Sequence, residues 1–75
     1  MKAKDIINEL KEIESKGFSQ TSFDVSEPFN TLQKIASETS SGLILYGPVF
    51  SVIVGNWNIT TDFNSPRKLV AWKCK

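Results

Sequence analysis

The sequence predicts an α+β domain: an antiparallel sheet of about four strands with two helices packed on one face, in the order α-β-α-β-β-β. Three observations lead there. Apolar residues recur at spacings of three and four over 3–16 and again over 27–40, the period of a helix with one buried face. Residues 18–25 alternate, and 49–54, 57–63 and 67–74 read as strands of a meander separated by Gly55-Asn56 and Asn64-Ser65-Pro66. Gly55-Asn56 separates two apolar runs with Gly first, the order a two-residue type II′ hairpin needs. Helices segregated from sequential strands give a layered structure with both helices on one side of the sheet.

Each element has a local reason. Ala3, Ile6, Ile7, Leu10 and Ile13 form the apolar stripe of the first helix, and Glu12 and Lys16 sit at i,i+4 in the favourable order. Gly17 is placed to end that helix in the left-handed conformation. Thr21, Phe23 and Val25 then share one side of a half-buried strand. Ser26 offers an N-cap and Pro28 fits the first helical turn, where its missing N–H costs nothing. Asn30 and Gln33 have capping-box spacing, which would start the helix later. Phe29, Leu32, Ile35 and Ala36 supply its buried face, and Ser40-Ser41-Gly42 ends it.

Leu43–Tyr46 is a short apolar run that Gly47-Pro48 interrupts. Pro cannot donate to a ladder, so this pair is a turn, a bulge or a bend in one long strand. Apolar residues on both faces of Val49–Val54 mark that strand as central. Trp57, Ile59, Thr61 and Phe63 share a face of the next strand. In the last strand Val70, Trp72 and Cys74 share one face, and Leu69 and Ala71 the other.

Seventy-five residues make one domain, 1–75, with a modest core. A net charge of +1 alone predicts neither nucleic acid nor membrane. Its distribution is uneven: residues 1–38 carry −2, residues 39–75 carry +3, and the last ten residues hold Arg67, Lys68, Lys73 and Lys75 with no acid. Such a basic strand either steers an acidic partner or guards an exposed sheet edge from pairing. The charged N-terminus shows no leader-like or membrane-spanning apolar run, and a lone Cys suits a reducing cytoplasm.

Catalytic chemistry is not expected. The chain has no His, the commonest general base and metal ligand, and one Cys, too few for a thiolate zinc site. Cys74 has no imidazole to activate it and reads as a small strand side chain facing the core. Gly42, Gly47 and Gly55 do not form a phosphate-cradling loop. No metal or other cofactor is expected.

A set of short motifs runs along most of the chain: Met1-Lys2-Ala3, Ile6-Ile7 with Glu9, Ile13 with Ser15, and Lys34-Ile35-Ala36-Ser37 late in a helix. A Gly/Asn turn followed by Trp57, and a final strand with Trp72 and Cys74, complete it. On these motifs the chain resembles small phage anti-CRISPR proteins that inhibit the type I-F Cascade surveillance complex. The resemblance implies a sheet with a helix packed across it, binding to the backbone subunits of that complex, and blocked access for target DNA. A basic pair on the family's helix falls on Gln33 and Lys34, of which only Lys34 is basic. The family also begins with a strand, where Ile6, Leu10 and Ile13 here have helical spacing.

The expected function is therefore a non-enzymatic, protein-binding inhibitor of phage or mobile-element origin. Its partner would be a host protein complex such as a CRISPR surveillance complex, and its contacts Gln33, Lys34, Arg67, Lys68 and Lys73. The alternative is a small nucleic-acid-binding module in which Arg67, Lys68 and Lys73 join Tyr46, Trp57 and Trp72 in a basic, aromatic sheet face. A monomer, or a homodimer paired through the strand ending at Cys74, completes the expectations.

Overall fold

Seven elements follow one another in the computed structural model, which describes residues 2–46, 49–62 and 64–74, with only the backbone at Tyr46. They are α1 (Ala3–Ser15), β1 (Gln20–Asp24), α2 (Pro28–Thr39), β2 (Leu43–Tyr46), β3 (Val49–Val54), β4 (Trp57–Thr61) and β5 (Lys68–Lys73). The strands form one antiparallel sheet in the order β1-β5-β4-β3-β2. The last four are a meander, and its final strand, β5, comes back beside β1.

The sheet thus has five strands rather than about four. The extra one is Leu43–Tyr46, which pairs with β3 from Leu43↔Val52 to Tyr46↔Val49 and does not continue into it. Gly47-Pro48 lies outside the described residues, as does Phe63. Val49–Val54 is interior, as its two apolar faces suggested, with β4 at the middle of the sheet. The basic last strand is interior as well, between β1 and β4, so it guards no edge and offers none for dimerisation. The edges are β1 and β2.

Both helices lie on one face. Ile6 and Leu10 of α1 and Leu32, Ile35 and Ala36 of α2 join Phe23, Val52, Trp57, Ile59, Leu69 and Ala71 in a single buried cluster. Those strand residues share a face by register: Phe23 opposes Leu69, Ala71 opposes Ile59, and Ile59 opposes Val52. Each fully buried Leu or Ile contributes roughly 1.5–3 kcal/mol of transfer free energy. Phe29 is an exception to the expected core. It is 39% exposed and leans against Phe50, ring centroids 4.5 Å apart at 58°.

The helix ends show how sequence sets length. At the start of α1 the Lys2 backbone N–H donates to Asp5 Oδ2 at 3.2 Å, and the carboxylate also suits the positive end of the helix dipole. At its end Gly17 has φ 86°, Phe18 N–H reaches Ile13 O and Gly17 N–H reaches Glu14 O. That is the paired closure expected of a left-handed Gly. The Lys16–Glu12 pair forms at 3.2 Å and is exposed, so it adds only a few tenths of a kcal/mol. The N-cap of α2 is Glu27 in place of Ser26, with Pro28 as the first helical residue. The Glu27 carboxylate accepts from Asn30 Nδ2, which ties up the Asn that would have capped a later start.

Ser40 closes α2 in the same way that Gly17 closes α1, but with a side chain at φ 55°; Ser41 N–H donates to Ala36 O at 2.8 Å. A Cβ in this region costs on the order of 1 kcal/mol relative to Gly. Ser40→Gly should therefore raise stability by about 0.5–1 kcal/mol, read as a higher denaturant midpoint with unchanged slope. An unchanged or lower midpoint would show that Ser40 is not strained there.

Candidate interaction surface

The second face of the sheet is covered by no element among the described residues. Period-two alternation decides what it shows. Register places Gln20, Trp72, Asn58 and Ile53 in one row across four strands, and Ser22, Val70, Thr60, Ser51 and Ile44 in the next. Trp72 is 41% and Ile53 43% exposed, while Ile44, Val49 and Val70 are half-buried. The centre is polar and self-satisfied. Ser51 Oγ and Thr60 Oγ1 both donate to Asn58 Oδ1, at 2.5 and 3.0 Å. Ser51 and Thr60 are nonetheless buried, at 1% and 8% exposure.

The five expected contact residues do not form one patch. Gln33 and Lys34 are exposed on α2, on the helix side of the molecule. Lys34 borders an open groove of about 560 Å³ where the start of α1 meets α2, and that groove carries Lys2 and Lys4 but also Glu27 and Glu38. Arg67 is exposed in the turn before β5, and its carbonyl accepts from Val25 N–H at 2.9 Å. Lys68 and Lys73 belong to the same strand but are an odd number of residues apart, so they point to opposite faces. Lys68 is exposed on the open face, with Asp24 as its register partner. Lys73 is on the helix side, where its Nζ lies 3.2 Å from Glu14 Oε2.

The tryptophans divide as well. Trp57 is 3% exposed and belongs to the core, whereas Trp72 stands on the open face. A basic, aromatic sheet face is thus not assembled: Trp72 and Lys68 are on it, Trp57 and Lys73 are not. Cys74 follows β5 and is half-buried instead of occupying the core.

The helix side has one electrostatic node. The Lys73 ammonium, paired with the Glu14 carboxylate, holds that carboxyl below the ordinary carboxylate range against the opposing effect of desolvation. The Asn56 amide and the Trp57 indole N–H, both nearby, act in the same direction as Lys73. The indole N–H is itself buried and completes no hydrogen bond. Among the described residues no three His, Cys, Asp or Glu side chains gather to hold a metal ion. Nor is any helix among the described residues long and apolar enough to cross a membrane.

The residues that sequence reasoning passed over are Ile53, Val70, Ser51, Asn58 and Thr60. Their signal was the double-sided apolar pattern of β3, which reads equally as burial on both faces or as one buried face and one presented face. The chain matches no protein-family model, no curated protein and no solved structure.

Two measurements follow from these placements. A Trp72→Phe chain, retaining only Trp57, should emit at shorter wavelength than the parent and resist iodide quenching; free quenching of that remaining Trp would refute its burial. A depressed folded-state pKa at Glu14 means stability that is present above the unfolded carboxylate pKa and lost as pH falls through the folded value. Glu14→Gln should therefore be less stable than the parent at neutral pH, with the two curves converging under acid. A constant gap at all pH values would show that charge on Glu14 is irrelevant.

Proposed function

We propose that this chain is a non-enzymatic protein-binding module that inhibits a larger partner by occlusion, docking through the open face of its sheet. The carrying observation is that face: a five-stranded surface without cover, an exposed Trp72 and Ile53 at its rim, and a polar centre already hydrogen-bonded to itself. Protein interfaces favour this make-up, since a Trp anchor on an apolar surface contributes disproportionately when water is excluded. Satisfied hydroxyls add little desolvation cost. The resemblance to type I-F anti-CRISPR proteins makes a nucleic-acid-guided surveillance complex in the host cytoplasm the first partner to try. Lys34 would then be a second contact on the helix side.

Area sets a limit. Five strands ~4.8 Å apart and about 18 Å long give a projected face of roughly 430 Å², against ~800 Å² per partner for a standard interface. Rim residues such as Arg67 must take part.

The nucleic-acid reading retains one supporting observation, the exposed Trp72, which could stack on a base. Its weakness is charge. Lys68 is the one cation that register places on the open face, and Asp24 opposes it, so the phosphate attraction that dominates such binding is missing.

The test is affinity capture of type I-F surveillance complexes by the purified chain, with quantitative binding of variants. Trp72→Ala with Ile53→Ser should weaken binding at least ~10-fold, measured at a temperature where circular dichroism shows the variant folded. If Lys34→Ala abolishes binding and the double variant does not, the contact surface is the helix side. Binding of single-stranded DNA that weakens steeply with salt would instead favour the nucleic-acid reading.

A further inference from the structure

We propose that β2 is a pairing edge for a second copy of this chain, giving a weak two-fold dimer with one sheet continuous across both protomers. This goes beyond the docking role, because it uses the edge of the sheet and leaves the open face free.

The two edges differ in chemistry. β1 ends on the exposed charge of Asp24 and alternates with Gln20 and Ser22, the polar protection expected of an edge that must stay unpaired. β2 is Leu43-Ile44-Leu45-Tyr46, with no charged residue and no Pro. Leu45 is the most exposed large apolar residue of the described chain, at 62%. It opposes Phe50 in register, so it is on the helix side of the sheet, yet the helices do not cover it.

Symmetry then selects the occupant. Two antiparallel copies of an edge strand are related by a two-fold axis perpendicular to the sheet, which keeps both helix layers on the same side. Centred on Ile44, that axis sets Leu45 of one copy opposite Leu43 of the other and Ile44 opposite itself. Directly opposed side chains lie ~4.5–5.5 Å apart and cover each other. No like charges meet, since β2 has none. By contrast, β1 paired on itself would bury Asp24, and β1 paired on β2 would build an open filament. A four-residue edge buries well under the ~1,200 Å² of stable complexes, so the dissociation constant should be on the order of 100 µM.

Sedimentation equilibrium on the full chain from ~10 µM to ~1 mM reads this directly. Monomer should convert to dimer across that range. Leu45→Lys should weaken the dimer at least tenfold, while Phe18→Lys, at a comparably exposed residue outside the sheet, should leave it unchanged. As a second readout, Ile44→Cys in a Cys74→Ser chain should cross-link to itself on oxidation in proportion to dimer. A chain monomeric at the highest concentration, a dimer indifferent to Leu45→Lys, or one equally sensitive to Phe18→Lys would overturn the proposal.

Discussion

Strand parity is the constraint on which the rest of this molecule depends. Two short helices cover one face of a five-stranded sheet, and every strand residue is then committed by its register to the covered side or the open one. Ile59, Leu69, Ala71 and Val52 go in; Trp72, Val70, Ile53 and Thr60 go out. A shift of one residue in β5 would exchange Leu69 and Ala71 for Lys68, Val70 and Trp72 beneath the helices. The register is held by the cost of that exchange, since it would bury a Lys in the core and place Leu69 and Ala71 in water.

Parity also explains why the charge asymmetry of the sequence does not become a surface. The C-terminal residues are basic as a string, but a strand distributes a string over two faces. Lys73 is drawn to Glu14 on α1, and Lys68 goes to the other side. The Glu14–Lys73 contact joins α1 to β5 at the end of the sheet where Asn56, Trp57 and Cys74 converge; Cys74 N–H donates to Asn56 O at 2.6 Å there. What the sequence presents as a candidate binding charge is in part a fastening between helix and sheet.

Much of the architecture was legible in the chain. Both helices come from a 3.6-residue pattern, with ends written in Gly17, Pro28 and Ser40, and the β3–β4 hairpin comes from Gly55-Asn56. The side-chain faces of β1, β4 and β5 follow from alternation alone. What could not be read was non-local. Nothing near Gln20–Asp24 says that it pairs with β5 and not with β2, because that choice rests on where the chain returns after α2. The site was harder for the same reason. Trp57 and Trp72 are alike as residues, and only the register across β4 and β5, Trp57↔Lys73 and Asn58↔Trp72, sends one to the core and the other to solvent. An uncovered sheet face has no motif; it is whatever the packing leaves exposed.

The open face and the β2 edge bear on each other. A projected face of roughly 430 Å² falls short of the ~800 Å² that a standard interface takes from each partner. Edge pairing about an axis perpendicular to the sheet would bring two open faces to the same side and double the available surface, with Ile44 of both copies at its centre and a Trp72 toward each end. It would do so while covering only Ile44 of that face, at the seam. A protein with few residues to spend on a core gains contact area this way more cheaply in sequence length than by extending its sheet. The polar centre at Ser51, Asn58 and Thr60 would suit such a face: its hydroxyl protons are already given to Asn58, so covering it would leave neither hydroxyl without an acceptor.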